Sequence, residues 1–102
     1  MDTRVSWSPE ALDDVDSIAA YIAKDSPFYA SAVVQKILDT AQSLGEFPNI
    51  GPIVPEIGEP EFRERFVYSY RLIYRVTAEQ VLVVSVIHGR RLPDPILNRL
   101  VE

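Results

Sequence analysis

The apolar residues of this chain change their spacing once, and that change limits the folds open to it. From Ala11 to Leu44 they recur on helical faces: Ala11, Leu12, Val15, Ile18, Ala19 and Ile22, then Ala30, Val33, Val34, Ile37, Leu38, Ala41 and Leu44. From Phe62 to Ile87 they form short blocks rich in Val, Ile, Tyr and Phe, which read as strands over Phe62 to Tyr68, Tyr70 to Val76 and Val81 to Ile87. The segment between, "EFPNIGPIVPEIGEPE" from Glu46 to Glu61, holds four prolines and two glycines and reads as a long ordered loop. Such length in a compact domain is uncommon and often functional.

Punctuation sharpens the element ends. Ser8-Pro9-Glu10 offers a capping hydroxyl, a proline at the first helical position and a carboxylate at the positive end of the dipole, predicting a helix from about Pro9 to Lys24. Ser26-Pro27 repeats the signal, and Gly45 is expected to cap the second helix. So short a connection predicts a helical hairpin. The acidic outer faces, with Asp13, Asp14, Asp16 and Asp39, are expected to meet water. Arg4 to Trp7 is β-prone, with Trp7 as a core anchor, and Thr77 to Gln80 is a hairpin loop. Asp94-Pro95 should start a short last helix with Ile96, Leu97, Leu100 and Val101 on one side, docked on this domain or on a partner. The order is β, α, α, β, β, β, α, in one domain spanning 1–102.

Composition removes several classes of function. Zero cysteines exclude disulfides and thiolate sites, and a single histidine leaves metal dependence unexpected. No nucleotide, zinc-protease or serine-hydrolase motif occurs, so no cofactor is expected. With no long apolar span and no basic-then-apolar start, the expectation is a cytoplasmic chain without a membrane partner. Net charge is −5, but residues 1–61 carry three cations against eleven carboxylates, whereas residues 62–102 carry seven arginines against four. An acidic chain is a poor general nucleic-acid binder, so direct binding of free nucleic acid is not expected. Any polyanion must be met at the arginines of the second part.

Those arginines surround the sole histidine. If Val76 pairs with Val81, the constant sum of an unbroken antiparallel ladder sets Ile73 opposite Val84 and Arg71 opposite Val86. His88 then emerges on the face of Arg71, forming a cationic cluster with Arg90 or Arg91. Arg63 and Arg65 join that face only in one of two registers, which the sequence leaves open. Such a cluster can stabilise charge in phosphodiester cleavage, with imidazole as acid. In the competing structural reading, the arginines bind carboxylates of this protein or a partner, and His88 merely ends a strand. No Glu, Tyr or second His is expected beside His88 to complete an acid–base pair, which favours that reading. Tyr68, Tyr70 and Tyr74 suggest base stacking or, more simply, packing with a wet hydroxyl.

"WSPEALDDVDSIAAYIAKDSPFYA", "FPNIGPIVPEIG", "RERFVYSYRLIYRV" and "VSVIHGRR", in this order, resemble the ParE/RelE superfamily of toxins from type II toxin–antitoxin and plasmid-stabilisation systems. The resemblance implies an α+β fold: an N-terminal β-strand, an α-helical hairpin packed on a small antiparallel β-sheet, and a short C-terminal helix. It also implies a cognate ParD- or RelB-like antitoxin in a hetero-oligomer. RelE-like members cut mRNA on the ribosome, and Arg71 matches an active-site arginine of some of them. ParE-like members inhibit DNA gyrase, and the acidic composition and His88-Gly89-Arg90-Arg91 ending look ParE-like. The expectation is therefore a non-enzymatic gyrase inhibitor, with Arg63, Arg71, His88, Arg90 and Arg91 as target- or antitoxin-binding residues. The alternatives are an mRNA endoribonuclease using Arg63, Arg71 and His88, and a binding module without toxicity.

Overall fold

The computed structural model describes residues 3–89 and 92–101. Its elements are β1 (Arg4–Trp7), α1 (Pro9–Ala23), α2 (Pro27–Ser43), β2 (Phe62–Val67), β3 (Tyr70–Val76), β4 (Gln80–His88) and α3 (Asp94–Val101). Strands β2, β3 and β4 form the expected antiparallel meander, and β1 joins β4 in parallel, so the sheet is mixed in the order β1-β4-β3-β2.

Both long helices start as their sequence dictates. The Ser8 hydroxyl accepts from the Ala11 N–H at 3.1 Å, and Ser26 does the same for Tyr29 at 3.1 Å, each followed by proline at the first helical position. The apolar stripes of this hairpin cover one sheet face, where Ala11, Val15, Val33, Ile37, Ala41 and Leu44 pack on Leu72, Tyr74, Val81, Val83 and Val86. Burying each large aliphatic side chain contributes about 1.5–3 kcal/mol, so this layer is the main source of cohesion. Trp7 is half-buried against it.

The opposite sheet face is covered by the long loop and α3. Val54, Phe62, Ile73, Ile87 and Leu92 form a second core, joined by Ile57, Ile96, Leu97 and Leu100. The last helix therefore docks on its own domain, but Val101 is 54% exposed and stands outside the expected stripe. Helix α3 begins at Asp94, with the Ile96 and Leu97 N–H groups donating to the Pro93 carbonyl. Asp94 is thus the first helical residue rather than the cap.

Gly45 does not act as a left-handed cap. Leu44 caps α2 in the right-handed conformation. What Gly45 provides is close approach: the Thr3 N–H donates to its carbonyl at 2.8 Å, and a Cβ would lie 2.6 Å from the Thr3 carbonyl oxygen. Glycine is needed here because the end of α2 meets the start of β1.

Candidate functional site

The site's layout is decided by one extra residue in β4. Val76 pairs with Val81 and Tyr74 with Val83, but Ile73 then pairs with Ser85, Leu72 with Val86, Arg71 with Ile87 and Tyr70 with His88. A β-bulge at this point leaves Val84 without an opposite residue. The unbroken ladder expected from sequence is therefore wrong beyond Tyr74, and so is its consequence. Arg71 lies on the loop face with Ile73 and Ile87, whereas His88 lies with Tyr70 on the helical face. The shared cationic face of Arg71 and His88 does not form.

A bulge frees backbone groups that a buried strand must satisfy. Here the partner comes from α1: the Asp14 carboxylate accepts from the Val86 N–H at 2.9 Å and from the Ser85 hydroxyl at 3.3 Å. Asp14, expected to face water, instead braces the bulge. It escaped notice because it looks like every other acid on the polar side of the helix.

On the loop face Arg71 is 2% exposed and bound by two carboxylates. Its guanidinium forks onto Glu56 of the loop, Nη1 to Oε2 at 2.7 Å and Nη2 to Oε1 at 2.6 Å, while Nε donates to Glu64 of β2. Glu56 also accepts from the Leu92 N–H at 3.3 Å, so one side chain joins β3, the loop and the approach to α3. The hydrogen bonds from Arg71 hold the Glu56 carboxyl at about 2, against an ordinary 4.5. Glu56 raises the pKa of Arg71 in turn, with Glu64 adding to the effect. The one legible signal for Glu56 was a carboxylate set inside the apolar run Ile53-Val54-Pro55-Glu56-Ile57.

Arg63 and Arg65 pair with Tyr74 and Leu72, residues of the helix-side core, and so lie on the face opposite Arg71. Arg63 is spent on structure: it donates to the carbonyls of Pro60, Asn49 and Gly51 at 3.0, 3.2 and 2.9 Å, fastening the loop to the β2 edge. Gly51 permits that approach, since a Cβ there would meet the Glu64 carbonyl and lie 2.8 Å from the Tyr74 hydroxyl. The same hydroxyl accepts from the Gly51 N–H at 3.0 Å, so Tyr74 is a core residue and not a stacking platform. Burial raises its pKa, opposed by the Gly51 N–H and by Arg63 and Arg65. Arg90 and Arg91 lie outside the described residues.

A tyrosine does stand beside His88, contrary to the expectation from sequence, because the bulge sets His88 opposite Tyr70: the two rings pack edge-on, centroids 5.2 Å apart and planes at 63°. The pair lines clefts beside α1 together with Tyr21, and one of these extends to Tyr29 and Tyr68. Among the described residues no cluster of His, Cys, Asp and Glu suits a metal ion, and no helix is long and apolar enough to cross a membrane.

This arrangement has relatives. Residues 5–93 match the family described as the ParE toxin of type II toxin–antitoxin system, parDE. The chain is 31% identical over 91 residues to the protein Y4kP of Sinorhizobium fredii, covering 86% of this chain and 90% of that one. It is also 31% identical over 90 residues to Toxin RelE2 of Caulobacter vibrioides, covering 87% and 98%. In structure it resembles a chain of the chromosomal ParDE TA system from P. aeruginosa, with a TM-score of 0.71 at 21% identity over 86% of this chain and 97% of the other. The chain therefore belongs to the ParE family of type II toxin–antitoxin toxins, within the ParE/RelE superfamily.

Proposed function

We propose that this toxin works without cutting RNA, by binding and inhibiting DNA gyrase in the cytoplasm, and that a cognate antitoxin neutralises it in a hetero-oligomer. The observation that carries this reading is the state of Arg71. Phosphodiester cleavage needs a cation aimed at the developing negative charge and a proton carrier within reach of the same scissile group. Arg71 is buried against Glu56 and Glu64, so its donors are already taken by carboxylates. His88 stands on the other side of the sheet. No shared substrate position lies between them.

Of the arginines near Arg71, Arg63 holds the loop, Arg75 pairs with Glu61 at 2.5 Å, and Arg65 lies on the opposite sheet face from Arg71. Arg90 and Arg91 remain the proposed contacts for target or antitoxin, which suits a protein surface better than a nuclease centre. The test uses purified chain in two assays side by side. Inhibition of gyrase supercoiling with accumulation of cleaved DNA, and intact mRNA in a ribosome translation mix, is the expected result. Cleaved mRNA with unaffected gyrase overturns the proposal and favours the endonuclease reading.

A further inference from the structure

Three separate parts of the chain bring tyrosines to one place. Tyr21 comes from the last turn of α1, Tyr29 from the first turn of α2, and Tyr68 and Tyr70 from the turn and strand after β2. With His88 and Asp25 they line a cleft of about 290 Å³. Tyr21, Tyr29 and Tyr68 are 71%, 52% and 60% exposed, an unusual concentration of aromatic surface to leave in water.

Tyr68, with φ 54°, and Ser69 form the two-residue turn of the β2–β3 hairpin, a turn that takes a left-handed first residue, and this carries the Tyr68 ring to the cleft rim, where it projects largely into solvent. Charge says what this surface is for. The carboxylate of Asp25 makes no ion pair or hydrogen bond among the described residues, and the described lining holds no lysine or arginine. Next to the cleft, Lys24 of the same chain already places its Nζ 5.9 Å from the Tyr21 ring centroid, so this ring face accepts a cation.

From this geometry we propose that the tyrosine cleft is a receptor for an arginine side chain of a protein partner, its guanidinium stacked on the exposed rings and paired with Asp25. A planar guanidinium fits better than a lysine ammonium, because it can lie flat on a phenol face while directing N–H groups sideways to a carboxylate. A nucleobase could use the same rings, but its phosphate would approach Asp25 and the acidic first half of the chain. The inference is independent of whether gyrase is the target.

The test is an NMR titration of the full chain with three probes: acetyl-Gly-Arg-Gly-amide, the same peptide with neutral citrulline for arginine, and uridine monophosphate. Saturable shifts of the Tyr21, Tyr29 and Tyr68 ring signals with the arginine peptide are expected, with citrulline binding at least about fivefold weaker. Asp25→Asn and Tyr68→Ala should each weaken the arginine peptide several-fold while amide spectra show an intact fold. Equal binding of arginine and citrulline would make this a plain apolar patch. Preference for uridine monophosphate would make it a stacking platform for nucleic acid. Either result, or no saturable shift, overturns the proposal.

Discussion

Glu56→Gln separates the charge of the loop latch from its shape. A drop from 4.5 to about 2 in the Glu56 pKa corresponds to roughly 3 kcal/mol of preference for the folded, ionised state. The Glu56 side chain is 27% exposed, and solvent screening reduces the working figure to about 2 kcal/mol. The sign follows from the direction of the shift. Because the folded carboxyl is the stronger acid, the stabilisation is complete above 4.5 and disappears as pH falls toward about 2. Glutamine keeps the length and one oxygen acceptor but removes the charge, and Glu64 still holds Nε of Arg71, so the fold should survive. Urea unfolding at neutral pH should show the variant less stable by about 2 kcal/mol, with an unchanged denaturant slope. Repeated at successively lower pH, the gap between variant and wild type should narrow as wild-type Glu56 takes up its proton. Equal stabilities at neutral pH would refute the latch, and a gap that stays constant with pH would refute its electrostatic origin. Glu61→Gln is the control: its pair with Arg75 is 38% and 48% exposed, and breaking it should cost less than about 0.5 kcal/mol.

Asp14→Ala should destabilise by about 1–3 kcal/mol by leaving the Val86 N–H and the Ser85 hydroxyl without their acceptor, whereas Asp14→Asn should retain most of that stability; the unfolding midpoints decide. Tyr74→Phe removes the acceptor for the Gly51 N–H, and should cost about 1–2 kcal/mol and speed hydrogen exchange at that amide before the strand amides respond. Gly45→Ala forces a methyl against the Thr3 carbonyl and should cost about 1–3 kcal/mol, with exchange in β1 rising most; unchanged protection there would contradict the close-approach role of Gly45.

Local structure was legible in the residues themselves: where α1 and α2 start, which faces they bury, which blocks are strands, and that Glu46 to Glu61 is an ordered loop. Those features rest on capping hydroxyls, proline positions and apolar spacing, which act over a few residues and are written in their own neighbourhoods. The family, too, was legible in the order of its motifs. The site was set by long-range pairing. The β4 bulge is stabilised by Asp14, 72 residues from the Val86 it serves, and nothing local to Val84 marks the extra residue. That one residue sends His88 to the helical face and leaves Arg71 on the other. Likewise the partners of Arg71 lie 7 and 15 residues away, on a neighbouring strand and in a loop that must first fold back on the sheet. A cation in a sequence carries no mark of whether a carboxylate will reach it. Long-range pairing thus turned the chain's most reactive-looking arginine into a buried latch, and gathered tyrosines from distant segments into one open cleft.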